Sequence, residues 1–232
     1  MYPYIDFHTH SRSHQSDVID ILSWYPYQEK NFDFYTIGYH PWWTKDILSE
    51  NELQLLKDHY TTNKKCLAIG ECGLDKLKGI DIQSQENIFV QQVAVANQLS
   101  APLIVHCVRQ YDALLRLRKS EGKTPWVIHG FFRNKTLAKQ LLDAGFYLSV
   151  APRIKMHDSF IETLKYVPHD RIFLETDSDH SLSIGERYTI FSKLTQQSMD
   201  SLSEQIAVNI KQIIGEEKIP TFNVCIEEIK KA

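Results

Sequence analysis

Four cysteines in 232 residues are too few for a disulfide framework. Cys66, Cys72, Cys107 and Cys225 contain no C-x-x-C pair and match no zinc-ribbon or redox spacing, so they read as buried free thiols. Charge of one sign is also scarce. A net charge of −3 gives no basic field able to hold long nucleic acid or an anionic membrane, and any polyanion must be gripped locally. No apolar run approaches the roughly 20 residues of a membrane span, and no charged leader precedes an apolar stretch at the N-terminus. The expectation is a soluble cytoplasmic monomer without a membrane or an obligate protein partner. Internal repeats, low-complexity tracts and Pro/Gly-rich linkers are missing as well, so 1–232 reads as one domain.

What the chain does have is apolar mass, 43% of its residues, arranged in short runs. Eight of them read as strands: "YIDFH", "VIDILSWY", "FYTIGYH", "CLAIGE", "PLIVHC", "WVIHGF", "FYLSVA" and "RIFLETD". Segments with helical spacing begin near Ser49, Gln85, Asp112, Leu137 and Ser159. Continuous apolar strands alternating with helices predict a parallel sheet buried on both faces, and eight strands predict an α/β (β/α)8 TIM barrel. Only about eight or nine residues separate the first three strands, fewer than a helical crossover needs, so the N-terminal helices are expected to be shortened or missing.

Polar residues close these strands. His8 and His10 end the first with Asp6 on the same face, Glu71 ends "CLAIGE", His106 "PLIVH", His129 "WVIH" and Asp177 "RIFLETD". In a parallel barrel all these ends meet on one face, where active sites of this fold are built. Each alone has an ordinary structural role available, such as a helix cap for Asp177. Together they would leave several imidazoles and two carboxylates desolvated, an arrangement that two divalent cations would organise.

The stretches "DFHTH", "IGECGLD", "FVQQVAVANQLSAPLIVHCVR", "VIHGFF" and "LETDSD" resemble, in order and spacing, the TatD family of metal-dependent hydrolases. "SLSEQIAVNIKQIIG" with Asn209 is similar to that family's last helix. The resemblance implies that His8 and His10 hold one metal and His106 and His129 a second, that Glu71 bridges them, and that Asp177 binds the first metal beside an attacking water. It implies a basic contact at Arg109 and a histidine beside the site at His40, both toward substrate. This chain has Gly130 where the family usually has cysteine and Asp179 where it usually has proline. Both changes bear on substrate choice more than on catalysis.

The expected function is a two-metal hydrolase, a TatD-type deoxyribonuclease acting as a 3′-5′ exonuclease on single-stranded nucleic-acid ends. Mixed His and carboxylate donors leave Mg, Mn, Zn and Fe open. Two other readings stand beside it: a deacylase-like amide or ester hydrolase on the same barrel, and a metal-binding barrel without turnover. Arg109, Arg133, Arg153 and Lys155 are expected to supply phosphate donors, and Trp42, Trp43, Phe131 and Phe132 to stack on exposed bases. Asp75 is expected to support the loop or a ligand, and His180 and Asp179 to sit around Asp177.

Overall fold

A computed structural model describes residues 2–26 and 34–231. Its strands are β1 (Tyr4–Thr9), β2 (Val18–Trp24), β3 (Phe34–Ile37), β4 (Cys66–Asp75), β5 (Leu103–Val108), β6 (Trp126–Ile128), β7 (Phe146–Val150) and β8 (Ile172–Leu174). Each pairs in parallel with the next in chain order. Past the end of β8 the ring closes on β1: Asp177 N–H donates to His8 O at 2.9 Å, and His10 N–H donates to Asp177 O at 3.3 Å. The eight strands form a nearly closed barrel, as the alternation of apolar runs and helices predicts.

The helices are α1 (Glu50–Thr62), α2 (Ile82–Leu99), α3 (Tyr111–Glu121), α4 (Lys135–Asp143), α5 (Asp158–Tyr166), α6 (Ile184–Thr195), α7 (Met199–Ile213) and α8 (Ile219–Lys231). Side-chain caps explain several of their starts: Ser49 and Ser183 form capping boxes with Glu52 and Glu186, while Asp81, Asn134 and Ser198 accept from backbone N–H groups. No helix lies between β1 and β2, which are joined by residues 10–17. The β2–β3 connection falls mainly on residues 27–33, outside the described residues.

The outer wall left bare by the missing crossover is covered from the far end of the chain. Phe222 of α8 packs edge-on against Phe34 of β3, with ring centroids 5.4 Å apart. Buried Lys218, just before α8, donates to the carbonyl of Tyr60 at 2.7 Å and lies 3.9 Å over that residue's ring. A fully buried cation is tolerated there because the carbonyls of Tyr60 and Asn63 at the end of α1 replace its water shell. No helix among the described residues is long and apolar enough to cross a membrane.

Candidate metal centre

Strand alternation alone would not aim all the polar ends inward; local irregularities finish the job. In β4 the pairing register with β5 shifts between Ile69 and Cys72, a bulge of the kind that re-aims a side chain, and Glu71 lies within it. Gly73 then faces His106 across the ladder so closely that a Cβ would sit 2.0 Å from the His106 carbonyl oxygen. Its φ of +147° is also open only to glycine at low cost.

Glu71 becomes the hub. Its Oε1 lies 2.7 Å from His129 Nε2, 2.9 Å from His106 Nδ1 and 2.9 Å from His40 Nε2. Its Oε2 lies 3.3 Å from His8 Nε2 and 3.7 Å from His10 Nε2, and accepts from Ser23 Oγ at 3.3 Å. His10 Nε2 also stands 3.3 Å from Asp177 Oδ1. Thus His8, His10, His40, Glu71, His106, His129 and Asp177 all converge. All but the fully buried His8 line, with Trp42, Trp43 and Ser178, a cavity of about 250 Å³ open to solvent. Arg109 is exposed beyond the end of β5 and is not among the lining residues. Asp6 turns instead to Thr176, accepting from its N–H at 2.8 Å and its hydroxyl at 2.6 Å, which ties β1 to the end of β8.

The electrostatics call for a cation. Burial lowers the His8 pKa to about 4, helped by neighbouring His129, so this ring stays neutral. Burial also works against charge on His129, but the Glu71 carboxylate overrides it and raises that ring to about 10. Glu71 is held well below the usual carboxylate range against its own burial, chiefly by His129 and by hydrogen bonds from His106, His129 and His40. Asp177 is likewise pushed up by burial and brought down to about 2 by His10, His129 and His8. Among the described residues, both ring nitrogens of fully buried His8 and Nδ1 of His129 lack a partner in hydrogen-bond geometry, His8 Nε2 meeting Glu71 only as a charge contact. Donor atoms of His8, Glu71 and His129, of His8, His10 and Asp177, and of His40, Glu71 and His106 lie within 4.8 Å of one another in each group. Orphaned imidazole nitrogens facing shared carboxylates fit divalent cations.

Outer partners fix which nitrogen of each ring points inward. His106 Nε2 is 3.2 Å from Asp75 Oδ2, which also accepts from Trp42 Nε1 at 2.6 Å, so with its proton on Nε2 the ring would turn the Nδ1 lone pair to a cation held beside Glu71. Asp75 therefore supports a candidate ligand as well as its own loop, where it accepts from Leu77 N–H. His40 has the opposite arrangement: its Nδ1 accepts from Trp42 N–H at 3.1 Å, so the proton of the neutral ring resides on Nε2. Burial lowers the His40 pKa and favours that neutral form.

Two contributors escape the sequence reading. Buried Glu175, two residues before Asp177, accepts from Gly130 N–H at 2.5 Å and from the Ser149 hydroxyl, and its Oε1 lies 3.9 Å from His129 Nδ1. Burial raises it to about 7. The signal was the two-residue spacing of Glu175 and Asp177, which repeats that of His8 and His10. Ser23, a hydroxyl within an apolar strand, is the other. Asp179 and His180, expected around Asp177, turn elsewhere: Asp179 to Arg153 and Arg187, His180 to Ser11.

A parallel barrel whose strand ends gather five imidazoles and two carboxylates over one solvent-open cavity has the architecture of a metal-dependent hydrolase. The chain belongs to the family described as TatD related DNase, whose model matches residues 14–215. It is 34% identical over 149 residues to an uncharacterized metal-dependent hydrolase of Buchnera aphidicola subsp. Baizongia pistaciae, covering 62% of this chain and 55% of that protein. The matched stretch thus spans little more than half of that relative. Against the uncharacterized metal-dependent hydrolase YabD of Bacillus subtilis it is 29% identical, covering 85% of this chain and 80% of the relative. The 3′-5′ ssDNA/RNA exonuclease TatD of Pectobacterium atrosepticum is 30% identical over 63% of this chain and 58% of its own length. In fold, the crystal structure of the TatD homologue YjjV from Escherichia coli superposes with a TM-score of 0.74 at 20% identity, over 91% of this chain and 97% of that one.

Proposed function

We propose that this protein is a two-metal phosphodiesterase that removes nucleotides from single-stranded nucleic-acid ends. The observation that carries the reading is the pairing of a candidate metal centre with two tryptophans at its mouth. Trp42 and Trp43 are 37% and 45% exposed beside His40, and Lys78 Nζ lies 3.6 Å over the Trp42 ring. Half-exposed indoles next to a polar centre suit the stacking of unpaired bases, a contact indifferent to sequence. Similarity to a relative described as acting on ssDNA and RNA points the same way.

In this proposal His8, His10 and Asp177 would hold one cation and His106 and His129 the other, with Glu71 placed to serve both. Divalent ions bound there would lower the pKa of water and neutralise charge on the phosphoryl oxygens. Asp177, ionised and one-third exposed, accepts the proton of the attacking water. His40, protonated on Nε2 and unable to offer that nitrogen as a ligand, donates instead to a phosphoryl oxygen. Arg109 waits at the rim as a further contact for the strand. The four cysteines, none of them in a disulfide among the described residues, suit a reducing cytoplasm.

The test is incubation of end-labelled single-stranded and duplex oligonucleotides with Mg²⁺ or Mn²⁺, with and without chelator. A ladder shortening from the 3′ end of single strands, abolished by chelator and by His106→Ala, is expected. Inert oligonucleotides beside rapid cleavage of an ester or amide would move the protein to the deacylase class.

A further inference from the structure

A second cavity, of about 230 Å³, adjoins the metal centre and meets it at Asp177 and Ser178, which line both. Its floor is Gly130, where a Cβ would find nothing nearer than Glu175 Oε1 at 3.9 Å, and Phe132 stands 44% exposed at its edge. Among the described residues the one cation lining it is Arg153, on the loop after β7. Of the four basic residues expected near this face, Arg153 alone lines a cavity shared with Asp177. Arg133 folds back onto the Phe132 carbonyl at 2.9 Å and stands 5.9 Å over the Tyr111 ring.

Arg153 is held in place from behind. Its Nε pairs with Asp179 Oδ2 at 3.1 Å, so one edge of the guanidinium is used while the side chain keeps 54% of its surface. Asp179 is in turn fixed by Arg187, fully buried, whose Nη2 lies 3.3 Å from the same Oδ2 and donates to the Asp179 carbonyl at 2.5 Å. Arg187 Nη1 donates to the Pro152 carbonyl at 3.1 Å, joining the loop that carries Arg153 to the loop that carries Asp179. Two guanidinium groups share the Asp179 carboxylate, and although Asp177 and Glu175 also line the cavity, the terminal nitrogens of Arg153 keep their donors for a ligand. A guanidinium anchored through Nε presents its terminal nitrogens in the fork geometry that binds phosphate.

We infer that Arg153, positioned by Asp179 and Arg187, binds a phosphate adjacent to the one being cleaved, in the cavity beside Asp177. This rests on the phosphodiesterase reading and adds to it the place where the uncleaved strand is held. Asp179 and Arg187 act as positioning residues and do not touch substrate.

The experiment compares wild type with Arg153→Ala, Arg153→Lys and Asp179→Asn on a single-stranded oligonucleotide and on bis(p-nitrophenyl) phosphate, which has no second phosphate. Arg153→Ala is expected to raise KM for the oligonucleotide about tenfold with little change in kcat, the scale of one lost charge-assisted contact. Its plot of log KM against log salt should flatten by about 0.7, one phosphate's worth on a single strand. Cleavage of the small diester should stay within about twofold of wild type, the range in which no contact worth a charged pair has been lost. Lysine should restore part of the loss, and Asp179→Asn should reproduce the KM effect without adding to Arg153→Ala. In wild type, one methylphosphonate at the linkage on either side of the cleaved bond should raise KM similarly on one of those sides, and Arg153→Ala should be blind to it. Unchanged KM and salt slope in Arg153→Ala would overturn this inference alone. An equal loss on both substrates would also overturn it, by showing that the residue serves the centre or the fold. Wild-type protein that cleaves the small diester but no oligonucleotide would overturn both this inference and the nuclease reading.

Discussion

Asparagine at position 177 separates the chemistry of that residue from its part in the fold. The backbone of Asp177 closes the barrel through its N–H to His8 and its carbonyl from His10, while its side chain faces His10 across 3.3 Å. The residue sits at φ +53°, a left-handed conformation that Asp and Asn tolerate better than other side chains. It caps no helix, since α6 is capped by Ser183. Asp177→Asn therefore keeps the closure bonds and the backbone conformation but removes the proton acceptor and the anionic donor. Loss of a general base costs about 10²–10⁴ in rate, or about 2.7–5.5 kcal/mol at 1.36 kcal/mol per decade. Asp177→Ala should lose the same activity and in addition about 1–2 kcal/mol of stability from left-handed strain, about 2–8 °C in Tm for a chain of this size. Steady-state hydrolysis of bis(p-nitrophenyl) phosphate with Mn²⁺, paired with scanning calorimetry, reads both quantities. An asparagine variant within about threefold of the wild-type rate would refute the assignment, because no loss of a base is that mild.

Removing metal by exhaustive chelation should lower Tm and abolish turnover; at 100-fold excess over Kd the bound ion contributes about 2.7 kcal/mol, and titration of Mn²⁺ or Zn²⁺ back into the apoprotein should restore both. Glu71→Gln, which removes the charge facing five imidazoles, should reduce metal content measured by plasma mass spectrometry, and full occupancy with full activity would rule out the bridge. Gly73→Ala should destabilise by about 3 kcal/mol or more, seen in urea melts, since its Cβ would collide with the His106 carbonyl. Burial pushes the Cys107 thiol up to about 12 and Cys72 further upward, so native protein at pH 8 should react with iodoacetamide at half-buried Cys225 alone, with the remaining cysteines labelled only in denaturant.

All eight strands were readable because each is a short, largely apolar run, five of them ended by a polar candidate ligand, and the missing first crossover was readable from the short spacing of the first strands. Two helices were not. In α6 an early glycine, Gly185, and β-branched Thr189 and Ile190 blur the helical pattern, while α8 starts Ile219-Pro220-Thr221-Phe222 and reads more like an irregular segment. Their apolar faces become evident only against the barrel wall that they cover, with Tyr188 OH donating to the Ile5 carbonyl and Phe222 against Phe34. At the centre, residue type and strand-end position were enough to gather the histidines, Glu71 and Asp177. Asp75 was legible as a support for its loop or a ligand, and Glu175 only through its two-residue spacing from Asp177, whereas the role of Ser23 depends on the carboxylate oxygen that it meets across strands and leaves no mark in linear spacing. The same holds for Arg153, whose value comes from a carboxylate 26 positions away in the chain.

The seam between β1 and β8 has a consequence for how the protein comes into being. Its closing bonds run between His8, His10 and Asp177, so the first and last strands meet where three of the candidate ligands reside. During synthesis the opening histidines must wait until the eighth strand has left the ribosome before their carboxylate partner exists. A cation captured at that point would staple the two ends of the barrel together, acting as the final clasp of folding. Amide protons along β1 and the 175–177 segment should accordingly exchange faster in apoprotein than in metal-loaded protein, while those in the β5–β6 wall change least.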